Sequence, residues 1–115
     1  MVDEKMAEAG EMTPTELKER LDNEHPLVLV DVRQPHEWSI ADLPEVGQLR
    51  IPLDRFMERM SELDPDDNIV IYCRSGARSG RAADELAARG YGQVYNLVGG
   101  LLRWREDVDP SVPEY

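Results

Sequence analysis

Two short, uninterrupted runs of apolar residues constrain the fold of this chain more than any other feature. Residues 27–30 read Leu-Val-Leu-Val and are followed by Asp31, and residues 69–72 read Ile-Val-Ile-Tyr and are followed by Cys73. Strands that are apolar on both faces are typical of parallel sheets covered by helices on each side. The sequence therefore predicts an α/β domain with a central, mostly parallel sheet flanked by helices.

Helix signals alternate with these runs along the chain. Thr13-Pro14-Thr15-Glu16 forms a capping box with proline at the first helical position, and it predicts a helix that ends near Asn23. Met57 and Met60, three residues apart, are predicted to face the core together. The other predicted elements are helices near 35–40, 53–63, 77–89 and 100–106, and weaker strands near 48–51 and 93–96.

The 115 residues are expected to form one domain. Residues 1–11 show no sustained periodicity and are predicted to be a mobile N-terminal segment. Residues 12–108 are predicted to form the folded domain. Residues 109–115, which contain two prolines, are predicted to form a C-terminal tail.

Composition narrows the possible partners and cofactors. The chain has 24 acidic and 13 basic residues, a formal net charge of −11, whereas nucleic acids and anionic membranes bind basic surfaces. One cysteine excludes an internal disulfide, and one cysteine with two histidines argues against a metal site, so no metal or cofactor is expected. Because we find neither a long apolar run nor an apolar signal core, we expect a cytoplasmic protein.

The single cysteine lies where a sheet of this class usually does its chemistry. Cys73 follows a predicted buried strand, and the loop after it contains glycine and opens a helix. Amide groups that converge in such a loop, together with the helix N-terminus, favour an anion and would favour the thiolate over the thiol. Residues 68–83 hold three arginines and no acid, so this segment is basic within an acidic protein. The alternative is that the cysteine is a small buried apolar residue.

This context predicts Cys73 as a nucleophile, with the next five residues forming a binding loop for a small anion. These loop residues are Arg74, Ser75, Gly76, Ala77 and Arg78.

Three further residues are predicted to surround the pocket: Asp31, Arg33 and Ser79. Asp31 and Arg33 are predicted to act mainly in structure, with Glu37 as a candidate partner of Arg33.

The remaining residues whose side chains could take part in a reaction are predicted to have structural or surface positions. His36 lacks a partner at catalytic spacing and is predicted to lie on the surface. Trp38 and Trp104 are predicted to pack in the core or at the rim of the pocket.

Taken in order, several segments of the chain resemble the single-domain rhodaneses, which are thiosulfate-sulfurtransferase-like proteins. The segments are Asp31-Val32-Arg33 with Glu37-Trp38, Ile51-Pro52, Tyr72 to Ser79, and Tyr95 to Gly100 followed by Trp104. The tail from Asp107 to Tyr115 is similar to that of the rhodanese domain at the C-terminus of adenylyltransferases that charge sulfur-carrier proteins. Residues 41–50 depart from the Gly-His-Ile-Pro-Gly-Ala-like stretch common in the family.

The resemblance implies a three-layer rhodanese-like domain and a sulfurtransferase mechanism. The Cys73 thiolate would take sulfur from a donor such as thiosulfate, hold it as a persulfide among the amides of residues 74–78, and pass it to a thiol, cyanide or a protein. Arg74 and Arg78 would position the anionic donor, unless one of them braces the loop.

Other functions stay open at this point. The loop reads Cys-x4-Arg, whereas phosphatases of related fold resemble Cys-x5-Arg, so the shorter loop favours a sulfur anion over phosphate. The alternatives are sulfur relay to a carrier protein and a non-catalytic binding module.

Overall fold

All five strands of the sheet run parallel, as the two apolar runs predict. The computed structural model describes residues 8–115 of the chain. Helices cover both faces of the sheet, which confirms the predicted three-layer α/β class. The strands, in their order across the sheet, are β1 (Gly10–Met12), β5 (Val94–Leu97), β4 (Ile69–Tyr72), β2 (Val28–Asp31) and β3 (Leu49–Arg50).

The helices begin close to the positions that the sequence signals predict. The capping box of the first helix is present, because the Thr13 hydroxyl accepts the Glu16 N–H at 3.2 Å and the Glu16 carboxylate accepts the Thr13 N–H at 2.8 Å. Within residues 8–115, no helix is long and apolar enough to cross a bilayer. The α-helices are α1 (Pro14–Asp22), α2 (Pro35–Trp38), α3 (Phe56–Arg59), α4 (Ala77–Ala88) and α5 (Gly100–Asp107).

The region predicted as one helix over 53–63 consists of three short pieces. The backbone departs from helical geometry at Arg59, whose φ is −112°, and α3 ends there in a 3₁₀ turn. Met60 is buried, but Met57 is 56 % exposed, so the prediction for Met57 is wrong. Spacing of three residues brings side chains onto one face only along an uninterrupted helix. The two 3₁₀ turns, one on each side of α3, are Leu53–Arg55 and Met60–Glu62.

Regular structure starts earlier than the sequence predicts. Gly10 and Glu11 were expected in the mobile segment, but they belong to β1, which pairs with β5 along Tyr95–Leu97. Only Met12 of this edge strand is buried, so backbone hydrogen bonding rather than an apolar pattern defines it. The rest of the predicted mobile segment, residues 1–7, lies outside the described residues.

The sheet separates two apolar cores. The two central runs supply both of them, because successive side chains of a strand point to opposite faces. The core beneath α3 and α4 includes Val30, Ile69, Ile71, Phe56, Ala83 and Leu86. The core beneath α1 and α5 includes Leu17, Leu29, Val70, Leu97, Leu101 and Trp104.

The register of the two central strands gathers polar residues at one edge of the sheet. Val30 pairs with Ile71, and Asp31 pairs with Tyr72. Cys73 leaves β4 directly beyond this pair, at the carboxyl edge where parallel sheets bind ligands.

Candidate active site

The loop after β4 surrounds the Cys73 sulfur with hydrogen-bond donors. The Sγ atom is fully buried and accepts the backbone N–H of Gly76 at 3.1 Å and that of Ser79 at 3.4 Å. The Ser79 hydroxyl also lies 3.4 Å from Sγ. Backbone amides therefore meet the sulfur, and the same side chain also packs in the core beneath α3 and α4. The role of Cys73 as a nucleophile stays a prediction. One of the two amides comes from Ser79, a residue predicted to lie outside the binding loop.

Glycine at two positions allows the loop to adopt this shape. Gly76 has a φ of +100°, in the left-handed region, and caps the start of α4. A Cβ on Gly100 would lie 2.4 Å from the carbonyl oxygen of Cys73. That close approach lets the first amides of α5, at Leu101 and Leu102, donate to the carbonyls of Cys73 and Arg74, both at 3.1 Å.

These contacts explain why the Gly-Gly pair belongs with the cysteine loop. The N-terminus of a helix carries free N–H groups, and here they bind the carbonyl oxygens at the start of the loop. The start of the loop is thereby fixed to the start of α5.

Arg78 is bound to Glu37, which lies on α2. Its guanidinium donates to both carboxylate oxygens, at 2.7 and 2.9 Å. These hydrogen bonds are the main reason that the pKa of Glu37 falls to about 2, and the same pair raises the pKa of Arg78. In this structure Arg78 braces the loop against α2, which is the alternative that the sequence analysis left open.

Arg74 is bound to the C-terminal tail. Its Nε donates to the main-chain oxygen of Tyr115, and its guanidinium carbon lies 5.4 Å from the centre of the Tyr115 ring. The Tyr115 hydroxyl in turn accepts from Arg33 at 2.9 Å and donates to Glu37 at 3.0 Å. The predicted tail therefore packs beside the cysteine loop. The sequence analysis missed Tyr115 as a site residue, because no local pattern connects it with residues so far away in the chain.

Ser75, in the loop, and Ala77, the first residue of α4, are exposed. Five residues were predicted to bind the anion. Within residues 8–115, Gly76 is the only one of the five whose backbone amide donates to Sγ.

Arg33 is fully buried and is held in place by several acceptors. Asp31 accepts from its Nε and Nη2, each at 3.0 Å, and the carbonyls of Glu37 and Ala41 accept from Nη1. Burial alone would lower the pKa of Arg33, but the hydrogen bonds from Arg33 to Asp31 and Tyr115 raise it. The expected pairing with the Glu37 carboxylate is wrong, because Arg78 occupies that carboxylate and Arg33 reaches only the Glu37 main chain.

Asp31 also accepts from Arg50 at 2.6 Å, and Arg50 binds Asp42 at the same distance. The Tyr72 hydroxyl donates to Asp42 at 2.6 Å. Burial, reinforced by these carboxylates, raises the pKa of Tyr72. Asp31 and Arg33 thus form the centre of a buried polar network that ties β2 to the chain beyond α2.

Asn96 joins the site from β5, although sequence reasoning gave it no role. Its amide nitrogen donates to the Gly76 carbonyl at 3.1 Å, and its amide oxygen accepts the Ser79 hydroxyl at 2.5 Å. The available signal was its position at the end of a predicted strand, three residues before Gly99-Gly100.

The other residues considered from the sequence lie away from the sulfur or in supporting positions. His36 is exposed, as predicted. Trp104 is 1 % exposed in the core, which confirms its predicted packing, and Trp38 is half-buried with Arg50 stacked 5.0 Å from the centre of its ring. Within the described part of the chain, no three His, Cys, Asp or Glu side chains are grouped so that they could hold a metal ion.

Comparison with known proteins shows the family to which the chain belongs. A family model described as "Rhodanese-like domain" matches residues 13–107. The chain belongs to this family. A protein named "Sulfurtransferase" from Allochromatium vinosum is 42 % identical over 103 residues, which cover 90 % of this chain and 94 % of that protein. The crystal structure of a rhodanese-like domain protein from Staphylococcus aureus superposes with a TM-score of 0.76 at 26 % identity, covering 92 % of this chain and 98 % of that one.

The rhodanese-like chain also resembles part of a larger protein. The probable adenylyltransferase/sulfurtransferase MoeZ of Mycobacterium tuberculosis is 31 % identical over 109 residues, which cover 95 % of this chain but 28 % of that protein. Both resemblances given by the sequence motifs, to single-domain rhodaneses and to the rhodanese part of adenylyltransferases, are therefore confirmed. Family membership and the named relatives support sulfur transfer in general.

Proposed function

We propose that this protein is a sulfurtransferase in which Cys73 carries the transferred sulfur as a persulfide. The observation that carries the proposal is the pair of amides, from Gly76 and Ser79, directed at a buried Sγ in a Cys-x4-Arg loop. Backbone N–H groups arranged in this way stabilise negative charge on a reacting atom without reorganisation. The similarity to a protein named "Sulfurtransferase" supports the same conclusion.

The reaction proceeds in two steps with a small sulfur donor such as thiosulfate. The Cys73 thiolate attacks the outer sulfur of thiosulfate, the S–S bond of the donor breaks, and sulfite leaves with the bonding electrons. The enzyme is left with a persulfide whose outer sulfur carries the charge. A thiolate or cyanide then attacks that outer sulfur, and the Cys73 thiolate leaves, ready for another cycle.

The two arginines of the loop have different roles in this proposal. Arg78 is held by both oxygens of a carboxylate and braces the loop. Arg74 is held by one main-chain oxygen and by stacking on Tyr115, so it can turn toward an incoming anion at lower cost. We assign donor binding to Arg74 and place the reaction in the cytoplasm, where a thiol stays reduced.

A protein acceptor is the second candidate for the final step. Two relatives carry names that point this way, the probable adenylyltransferase/sulfurtransferase MoeZ and the putative sulfur carrier protein YrkF of Bacillus subtilis. The exposure of Ser75 in the loop and of Ala77 at the start of α4 leaves room for a partner to approach. Fast transfer to small thiols with none to any carrier protein would argue against this relay.

Mass spectrometry of the intact protein tests the persulfide directly. After incubation with thiosulfate and removal of the excess, we expect a gain of one sulfur atom at Cys73, with release of one sulfite. A Cys73→Ser variant should gain nothing and should fail to convert cyanide to thiocyanate.

A second variant separates the loop from the thiol itself. Ser61 is exposed and lies in the 3₁₀ turn Met60–Glu62, outside the cysteine loop, so Cys73→Ser with Ser61→Cys supplies a thiol without the amides. We expect this variant to stay inactive. Sulfur transfer at the parental rate by either variant would overturn the proposal.

A further inference from the structure

One side chain outside the cysteine loop holds both of the residues whose amides meet the sulfur. Asn96 lies on β5, 20 positions after Gly76 and 17 after Ser79. Its amide nitrogen donates to the Gly76 carbonyl, and its amide oxygen accepts the Ser79 hydroxyl. Gly76 and Ser79 are also the two residues that direct their backbone N–H groups at Cys73 Sγ.

We propose that Asn96 is a positioning residue that sets the reactivity of Cys73 by holding these two donors in place. The inference rests on the proposed sulfur-transfer function and assigns to that same site a residue that does not touch the substrate. Asn96 acts through Gly76 and Ser79, and its effect is on the balance between thiol and thiolate.

The orientation of the Asn96 amide follows from its partners. A backbone carbonyl can only accept a hydrogen bond, so the nitrogen of the amide must face Gly76 and the oxygen must face Ser79. The single hydroxyl proton of Ser79 is then committed to Asn96, at 2.5 Å. The Ser79 oxygen therefore presents a lone pair to Sγ, 3.4 Å away, and can accept the proton of the thiol.

This arrangement gives Asn96 two opposite effects on Cys73. Its bond to Gly76 fixes an amide that stabilises the thiolate. Its bond to Ser79 turns the hydroxyl into an acceptor, which stabilises the thiol. Removing one effect at a time separates the two and distinguishes positioning from a general contribution to folding.

The rate of alkylation by iodoacetamide, measured against pH, reports the thiolate without requiring sulfur transfer. In Ser79→Ala the acceptor for the thiol proton is gone, so we expect the midpoint of the alkylation profile to move to lower pH. Adding Asn96→Leu to Ser79→Ala then removes only one more contact, the hydrogen bond from the Asn96 amide to the Gly76 carbonyl. The midpoint should then rise by about one pH unit, the size expected for weakening one hydrogen bond to a charged group.

Asn96→Asp provides a second variant of almost unchanged size. It keeps an acceptor for Ser79 but replaces the donor to Gly76 by a charged oxygen. The midpoint of the alkylation profile should therefore rise by more than one pH unit, and each unit lowers the rate of alkylation below the midpoint about tenfold. Asn68→Asp is the matched control, because the Asn68 amide also donates to a carbonyl, that of Pro26 at 3.5 Å, on the opposite end of β4. The control should leave the profile unchanged.

Kinetics of persulfide formation complete the test. Each Asn96 variant is compared with its own reference, the parent for Asn96→Asp and Ser79→Ala for the double variant. Below the raised midpoint, sulfur uptake should be about tenfold slower than in that reference for each pH unit of the shift, with KM for thiosulfate unchanged within about twofold. If Asn96→Asp keeps the parental alkylation profile and Asn96→Leu leaves the profile of Ser79→Ala unchanged, whether or not these variants lose thermal stability, the positioning role is refuted. Alkylation by iodoacetamide needs no sulfur donor. The alkylation profiles therefore test the positioning role of Asn96 even if the persulfide experiment fails.

Discussion

Glu37→Gln removes the charge of the carboxylate that holds Arg78 and keeps the size of the side chain. In the folded protein the pKa of Glu37 is about 2, against an ordinary value of 4.5, mainly because Arg78 donates two hydrogen bonds to it. At ~1.4 kcal/mol for each pH unit, this difference corresponds to about 3 kcal/mol in the free energy of unfolding. A third of the Arg78 side chain stays in contact with water, at 33 % exposure, so we take that value as an upper bound.

The pH dependence follows from the direction of the change in pKa. Folding lowers the pKa of Glu37, so the unfolded chain binds the proton more readily than the folded protein does. The stabilisation is complete above the ordinary value of 4.5 and is lost as the pH falls toward 2. We expect Glu37→Gln to be less stable than the parent by up to about 3 kcal/mol at neutral pH, and this difference to shrink as the pH approaches 2.

Urea unfolding followed by tryptophan fluorescence at a series of pH values measures this difference. Glu85→Gln is the matched control, because Glu85 pairs with Arg89 at an exposed position on α4 and such pairs contribute only about 0–1 kcal/mol. An identical pH dependence of stability in the parent and in Glu37→Gln would refute the reasoning.

Three further substitutions probe the loop and its surroundings. Arg74→Ala should raise KM for thiosulfate about tenfold with little effect on transfer to cyanide, measured by steady-state kinetics, and an unchanged KM would contradict the assignment of donor binding. Gly100→Ala places a Cβ 2.4 Å from the Cys73 carbonyl, so both persulfide formation and thermal stability should fall, and a fully active, equally stable variant would contradict the close approach. Met57→Gln at an exposed position should change the free energy of unfolding by less than about 0.5 kcal/mol, and a larger loss in urea unfolding would show that Met57 is packed.

Local patterns in the sequence predicted the parts of the fold that depend on neighbours in the chain. The uninterrupted runs identified β2 and β4, and the capping box located the start of α1. The carboxyl ends of β2 and β4, marked by Asp31 and by Cys73, lie at the same edge of the sheet because the two strands are parallel and in register. The cysteine loop could be predicted for the same reason, since strand, glycine and helix follow one another without a gap.

Contacts between distant parts of the chain could not be predicted in this way. The Glu37 carboxylate binds Arg78, 41 positions away, and the Tyr115 hydroxyl, 78 positions away. Charges near one another in the sequence offered several plausible partners, and the path of the chain decides among them. The pairing of Arg33 with Asp31 forms at the bend just beyond β2, where the Asp31 carboxylate accepts both the backbone N–H and the guanidinium of Arg33.

The contact between the start of α5 and the cysteine loop bears on the order in which the protein matures. The amides of Leu101 and Leu102 bind the carbonyls of Cys73 and Arg74, although they are synthesised well after them. A nascent chain that has emerged only through α4 has the thiol but lacks the groups that complete its surroundings. The surroundings of Cys73 are therefore completed only late in synthesis, once Leu101 and Leu102 can bind the carbonyls of the loop.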